Sequence, residues 1–244
     1  MPSVPFFKFC FIPSWKMIFL TTLFFLLFMR LGFWQIQRAD EKTNMIMTQK
    51  RLQNLNPKVW IPKQKLPLQY ERVQLAGNYL SQTFLLDNQH YQHQFGYDVL
   101  SPLELADGSV VLIDRGWLHG DGTRRIFPKI EIPNKLIQLQ GTAYFPNKNQ
   151  WVLGPVIEKK GNNLIILERF DEQLLSQLLQ KGVYPFIIRL DKQDTYGFVR
   201  EWEIVAMPPQ RHLAYALQWF AMAFVILTLF LALNLKKKNE ETVQ

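Results

Sequence analysis

The sequence predicts a membrane protein in which two transmembrane helices flank a mainly antiparallel β domain of α+β, barrel-like type outside the membrane. Two long apolar stretches lie near the ends of the 244-residue chain. Each approaches the roughly 20 residues that cross a bilayer. Between them, short runs of β-branched and aromatic residues alternate with turn residues, as is typical of a strand-rich domain.

This pattern divides the chain into five predicted segments. Each end carries one membrane anchor, and the larger middle segment lies on one side of the membrane. The segments are a cytoplasmic N-terminus (1–14), a first transmembrane helix (15–34), a β-rich domain in the periplasm or intermembrane space (35–211), a second transmembrane helix (212–235) and a basic cytoplasmic tail (236–244).

The first apolar stretch reads MIFLTTLFFLLFM from Met17 to Met29 and extends to Trp34. Arg30 lies close enough to one end for its side chain to reach the interface. No small-x-small cleavage site follows, so we expect a retained signal anchor and not a cleaved signal peptide. The polar run from Gln35 to Arg51 is predicted to continue this helix out of the membrane.

The second stretch, Leu213 to Leu235, contains no charged residue and is followed by three lysines, 236–238. Positive charges mark the cytoplasmic flank of a span, so both termini are predicted to be cytoplasmic. The charges around the first span favour the opposite orientation. We base the predicted orientation on the second span, which three lysines follow directly. The predicted location is the bacterial inner membrane, which is equivalent to the mitochondrial inner membrane.

The middle segment begins with a proline-containing linker, Asn54 to Pro67, and continues as short strands separated by turns. Tight turns are predicted at Asp107-Gly108 and at 161–163. The leucines between Asp171 and Gln180 recur at helical spacing, with Gly182 as the stop. The predicted strands are Tyr70 to Leu80, Thr83 to Asp87, Tyr97 to Leu103, Ser109 to Trp117, Leu136 to Tyr144, Leu164 to Leu167, Pro185 to Leu190 and Phe198 to Val205.

Composition narrows the classes of function. The net charge of +8 is spread along the chain, and no basic run alternates with aromatic residues, so we expect lipid and not nucleic acid as a partner. Cys10 is the only cysteine, which excludes an intramolecular disulfide. The sequence contains no phosphate-binding glycine loop, nucleophile elbow or helical pair of metal histidines.

Three histidines fall in predicted loops of the middle segment. His90 and His93 are spaced so that they could bind a metal together with Asp87, which would suit a membrane-anchored, exported metal enzyme. The flanking sequence QHYQHQFGY instead favours a solvated hairpin tip. His119, in the loop HGDGTRR, suits a surface residue equally well.

His212 is placed at the membrane entry of the second helix, ahead of Tyr215 and Trp219. An imidazole there could ligate haem iron, with the aromatic neighbours covering the macrocycle. The alternative is an interfacial histidine satisfied by water and lipid headgroups.

Three sequence blocks, taken in order, resemble the surfeit locus protein 1 family of cytochrome c oxidase assembly proteins. They are LGFWQIQRADEK from residue 31, the pair FGYDVLSPL and VVLIDRGWL from residues 95 and 110, and RHLAYALQWF from residue 211. Departures are Asp114, where asparagine is expected, and Pro209 to Arg211, where the family is rich in asparagine. The residues that match family motifs are Gly32, Trp34, Gln35, Arg38, Gly96, Tyr97, Pro102, Arg115, Gly116 and Trp117.

The resemblance implies a chaperone-like role in biogenesis of respiratory chain complex IV. It implies haem a as the cofactor, held by His212, and cytochrome c oxidase subunit I, with haem a synthase, as partners. It implies no enzymatic activity. The resulting cofactor-binding prediction comprises His212, Tyr215, Trp219 and Arg115, with His212 on the haem iron. A generic interaction module with two anchors is a further alternative.

The chemistry of the Arg115 side chain suggests a role without reference to the family. A guanidinium can hold a carboxylate or propionate through two hydrogen bonds. The alternative is a structural salt bridge with Asp114 or with Glu71 in a neighbouring strand.

Overall fold

A computed structural model describes residues 4–6, 9–147, 152, 154–160, 163–202 and 204–237. Positions 161 and 162 of the predicted second turn and most of the predicted basic tail lie outside these ranges. The chain forms two compact units, Met1–Met47 with Ile204–Gln244, and Thr48–Glu203. The elements in chain order are β1 (Val4–Phe6), β2 (Phe9–Phe11), α1 (Trp15–Gln53), β3 (Lys58–Val59), β4 (Arg72–Tyr79), β5 (Thr83–Tyr91), β6 (Gln94–Glu104), β7 (Val110–His119), β8 (Leu136–Tyr144), β9 (Ile157–Lys159), β10 (Leu164–Leu167), α2 (Glu172–Leu179), β11 (Val183–Leu190), α3 (Pro209–Asn234) and β12 (Leu235–Lys237).

The first unit contains the two apolar helices. Both α1 and α3 are long and apolar enough to cross a membrane. The 39 residues of α1 confirm that this helix continues past the predicted span through the polar run. Helix α3 starts with Pro209, where the missing proline N–H costs no intrahelical hydrogen bond. A three-stranded sheet in the order β1-β2-β12 joins the two chain ends.

The second unit is built on a nine-stranded sheet in the order β3-β4-β8-β11-β7-β6-β5-β10-β9. The prediction of a mainly antiparallel sheet is only partly right, because β3 runs parallel to β4, β10 to β5, and β11 to β7. Helix α2 connects β10 to β11, which are separated in the sheet by β5, β6 and β7. A short pairing of β4 with β6 at Asn78 and Tyr79 is also present. Closure into a barrel stays a prediction.

Most of the strands were predicted correctly from local sequence patterns. Strands β8 and β10 have the predicted bounds, and hairpins connect β5 to β6 and β6 to β7 as predicted. The predicted strand from Phe198 to Val205 is wrong, since its described residues make only an isolated bridge between Val199 and Trp117. Helix α2 ends at Leu179, with Gln180 and not Gly182 in the left-handed conformation that stops it.

Apolar side chains cover both faces of the central strands. One cluster includes Val111, Ile113 and Phe186, and another includes Leu112, Ile187 and Leu175 of α2. Alternate residues of β7 therefore enter different cores, as strand geometry requires. This burial on both faces fixes the position of the polar residues that follow at the end of β7.

Candidate functional site

His212 lies in the first turn of α3 and is hydrogen-bonded to α1. Its Nδ1 is 2.8 Å from Oε1 of Gln35. Because a carbonyl oxygen can only accept, Nδ1 carries the proton and Nε2 keeps its lone pair. Nε2 is buried and has no hydrogen-bond partner among the described residues. Sequence reasoning had placed Gln35 in a family motif, but had not paired it with His212, which is 177 positions away.

Aromatic side chains pack the two helices against each other near this histidine. The ring of Trp219 stacks on that of Phe28, with centroids 5.8 Å apart. Phe220 contacts Phe33 edge-to-face at 5.3 Å. A Cβ at Gly32 would stand 2.5 Å from the Phe220 ring, so a larger residue would have to displace that ring. Gly32 therefore allows Phe220 to pack closely against α1.

The other predicted residues of this unit have different surroundings. Tyr215 is 43% exposed, so it does not share the buried environment of Nε2. The guanidinium of Arg38 lies 5.6 Å from the Trp34 ring and pairs with Glu41 at 2.7 Å. These contacts stabilise one helical stretch and leave His212 as the group suited to ligation.

The chemistry of this pair fits a metal ligand. Histidines that bind metals commonly donate their second ring N–H to an oxygen, which fixes the tautomer and the ring orientation. Gln35 makes that contact with His212. Neutral imidazole is an axial ligand of haem iron in many proteins. Within the described residues, His212 therefore has the ring orientation and the free ring nitrogen that a metal ligand requires.

Arg115 lies in the second unit, on β7, and is only 3% exposed. Its Nε donates to the Tyr196 carbonyl at 2.7 Å, and its Nη1 to Ser101 Oγ at 3.3 Å and the Glu131 carbonyl at 3.1 Å. It forms no ion pair within the described ranges, so the predicted salt bridge with Asp114 or Glu71 is wrong. Carbonyl oxygens of two loops solvate the cation, and burial lowers its pKa. Arg115 thus fastens these loops to the sheet.

The two central motifs meet where β6 and β7 pair. A Cβ at Gly96 would stand 2.6 Å from the Trp117 indole. Gly116 has a φ of +107°, and a Cβ there would stand 2.5 Å from the Val199 carbonyl. Trp117 and Val199 exchange backbone hydrogen bonds of 2.7 and 3.1 Å. The glycines allow the indole and the segment around Val199 to lie against the sheet.

Tyr97 and Pro102 belong to the same strand, β6. Tyr97 is fully buried, its hydroxyl has no partner among the described residues, and burial raises its pKa. Pro102 pairs with Leu112, and its carbonyl accepts from Leu80. Both residues therefore support the packing of the sheet.

A cavity of about 140 Å³ opens at the junction of these motifs; we call it the Asp98 cavity. This cavity was not predicted from the sequence. Arg189, a charged residue within the apolar run FIIRL of β11, could have indicated it. Its wall combines a carboxyl, a guanidinium and aromatic rings from separate parts of the chain. The residues that line it include His90, Asp98, Trp117, Arg189, Glu201 and Trp202.

Asp98 and Arg189 of the lining interact electrostatically with Asp114, which lies outside the lining. Burial raises the pKa of Asp98 to about 6, and the positive charge of Arg189 offsets part of the effect. Burial and the neighbouring Asp98 raise the pKa of Asp114 further, although Asp114 also accepts from the Gly116 N–H. Ionising both acids at once is energetically unfavourable, because a single guanidinium would have to neutralise two buried carboxylates.

The predicted metal group of Asp87, His90 and His93 is not formed. Asp87 is buried and pairs with Arg124 at 3.1 Å, whereas both histidines are exposed on the β5–β6 hairpin. Among the described residues, no three histidine, cysteine or acidic side chains could hold a metal ion together. Alternation along β5 explains this, because it turns Asp87 inward and His90 outward. His119 is exposed at the end of β7.

Comparison with known proteins covers both units. The model of the SURF1 family matches residues 22–224. The chain is 22% identical to a SURF1-like protein of Rickettsia prowazekii over 222 residues, which are 88% of each chain. It is 23% identical to one of Rickettsia felis over 213 residues, which cover 84% of this chain and 91% of the relative. A SURF1-like protein of Rickettsia bellii is 24% identical over 215 residues, which cover 84% of this chain and 86% of the relative.

Proposed function

We propose that this chain is a membrane-anchored assembly factor for haem-copper cytochrome c oxidase. The chain belongs to the SURF1 family, and that family is associated with cytochrome oxidase assembly. In this role it assists the delivery of haem a to subunit I. The chain acts as a scaffold and carrier and not as an enzyme. Its partners are subunit I and haem a synthase.

One observation carries the proposal for haem. Nε2 of His212 is buried and has no hydrogen-bond partner in the described part of the chain, while Gln35 holds the opposite ring nitrogen. A buried imidazole nitrogen without a hydrogen-bond partner is costly in a folded protein, and ligation would remove that cost. When bound, haem a supplies an iron that accepts the lone pair of this nitrogen.

The surrounding residues have defined tasks in this proposal. Gln35 fixes the orientation of the His212 ring, because its carbonyl oxygen accepts from Nδ1–H and leaves Nε2 as the free ring nitrogen. The contact of Phe220 with Gly32 and the stacking of Trp219 on Phe28 pack α3 against α1. Weak binding through one protein ligand suits a carrier that must release its cargo.

The location of the site follows from the two apolar helices. We place the chain in the bacterial inner membrane, with both termini in the cytoplasm and the second unit on the outer side. His212 then lies at the outer end of α3, because Lys236 and Lys237 follow the opposite end. In this arrangement the helices of the chain contact subunit I laterally within the bilayer.

A spectrum of the purified protein tests the proposal. The chain is expressed in cells that make haem a and purified in detergent, and its haem content per polypeptide is measured. We expect wild type to carry haem a, His212→Ala to lose it, and Gln35→Leu to keep less than wild type because its ring orientation is no longer fixed. His119→Ala is the matched control, since this exposed histidine is far from α3 in sequence, and it should match wild type.

Three results would reject the proposal. Haem content equal in wild type and His212→Ala would remove the role of the histidine. Absence of haem from wild type, with normal oxidase levels in cells lacking the chain, would remove the function altogether. Loss of haem in His119→Ala would show that binding depends on general folding.

A further inference from the structure

The Asp98 cavity contains polar groups that the protein itself does not satisfy. The guanidinium of Arg189 lies 3.7 Å from the Tyr144 ring centroid and 5.2 Å from that of Trp202. It donates no hydrogen bond to the described residues, and its Nε is buried. Asp98 likewise has no hydrogen bond or ion pair within those ranges. A donor and an acceptor thus face one cavity without partners.

Every charged group at the cavity can be accounted for. Asp98 comes from β6 and Arg189 from β11, and Asp114 of β7, outside the lining, interacts electrostatically with both. Glu201 is paired with Lys192 at 2.7 Å and is 56% exposed, so it contributes little net charge. The two remaining side chains with titratable groups, His90 and Tyr91, come from β5. One proton shared by Asp98 and Asp114 therefore balances the single positive charge of Arg189.

This balance selects the kind of ligand. A cation could not accept from Arg189, and it would face a guanidinium that is already balanced. A carboxylate supplies acceptors to a flat guanidinium held on an aromatic face, which is the geometry that favours arginine for this purpose. Its negative charge would be tolerated if Asp98 took up a proton at the same time.

We propose that the Asp98 cavity is a carboxylate-binding site in which Arg189 receives the carboxylate and Asp98, by binding a proton, donates to it. The bound group is a carboxylate head of a small acid or of an acidic polypeptide side chain, since about 140 Å³ holds little more. Binding adds one carboxylate and one proton, so the net charge of the cavity is unchanged. The site lies where the two central motifs join, with Asp98 of one motif and Trp117 of the other in its lining.

The experiment is an acetate titration of the full chain in detergent, followed by NMR of the ¹⁵N-labelled arginine Nε–H groups. The Arg189 signal, identified by its loss in Arg189→Lys, should shift on binding. Uptake of one proton by a group with a pKa of about 6 predicts affinity about 25-fold tighter at pH 5.5 than at pH 7.5. Acetamide, which has the same shape without the charge, should bind far more weakly.

Variants separate this site from general acid binding. Asp98→Asn should bind acetate as tightly at pH 7.5 as wild type does at pH 5.5, and its affinity should not change with pH. Glu201→Gln is the matched control on the same cavity and should keep the wild-type pH dependence. In Arg189→Lys, which lacks the reporter signal, acetate binding is measured by isothermal titration calorimetry alongside wild type and should be at least tenfold weaker.

A blocked peptide with one glutamate identifies the source of the carboxylate. Binding of the peptide as well as acetate indicates a polypeptide partner, and binding of acetate alone indicates a small acid; both support the site. Three results would overturn it: affinity independent of pH in wild type, acetate binding unchanged in Arg189→Lys, or methylammonium binding more tightly than acetate and being lost in Asp98→Asn.

Discussion

Replacing Asp98 by asparagine removes a buried carboxyl that the fold accommodates at a cost. The pKa of Asp98 is raised to about 6 from the ordinary 3.8, chiefly because burial disfavours its charged form. Each pKa unit corresponds to about 1.4 kcal/mol, so ionised Asp98 lowers the free energy of unfolding by about 3 kcal/mol. Asparagine has the same shape and no charge, and Asp98→Asn should therefore stabilise the domain above pH 7.

The sign of the pH dependence follows from the direction of the shift. A carboxyl with a raised pKa contributes its full stability below about pH 4 and loses that contribution as the pH rises through about 6. Wild type and Asp98→Asn should consequently be equally stable at pH 4 and diverge toward pH 8. The pKa of about 6 already includes the attraction between Asp98 and Arg189, so about 3 kcal/mol is the gain expected at pH 8.

Denaturant unfolding of the detergent-solubilised chain, followed by tryptophan fluorescence at pH 4, 6 and 8, measures this effect. Glu201→Gln is the control, because its exposed ion pair with Lys192 contributes little to stability. If Asp98→Asn were less stable than wild type at pH 8, the ionised carboxylate would be favoured by its surroundings. The reasoning about the Asp98 cavity would then be refuted.

Three further substitutions test the packing of the two units. Gly116→Ala should lower the free energy of unfolding by about 2–4 kcal/mol, because it combines a positive φ with a clash against a backbone carbonyl; Gly122→Ala, which meets no atom within 4 Å, should change it little. Asp171→Ala should cost about 1 kcal/mol, since the Asp171 carboxylate accepts from the Leu174 N–H at the start of α2, and loss of helix α2 in thermal melts measures it. Gly32→Leu should push the Phe220 ring away and reduce haem a content without unfolding the second unit, whose melting temperature should be unchanged. Unchanged haem content would contradict the role of this contact.

The sequence predicted individual elements better than their arrangement. The bounds of β8 and β10 followed from composition and turns, because these signals are local. The parallel placement of β10 and β11 was missed, since it depends on the α2 crossover and on pairing with distant strands. The segment around Val199 looked like a strand, but its guanidinium neighbour Arg200 donates to loop carbonyls at 191, 192 and 194 and holds it as a loop.

The candidate sites show the same limit. His212 was identified from its place before an apolar helix, but its partner Gln35 could be found only in three dimensions. For Arg115, the sequence left open a bound carboxylate and a salt bridge, and the structure shows it donating to backbone carbonyls instead. The loops that supply its carbonyl acceptors have no sequence pattern that would identify them. Arg189 and Asp98 meet through strand register, which no local pattern encodes.

The most direct test of the account is the amount of assembled cytochrome c oxidase in cells whose own copy of the gene is replaced by variants of this chain. Haem a bound to subunit I is measured by difference spectra of washed membranes, with chain levels matched by immunoblot. The account predicts that cells lacking the chain and cells with His212→Ala both have reduced oxidase, while His119→Ala restores the wild-type level. Full oxidase assembly without the chain would contradict it.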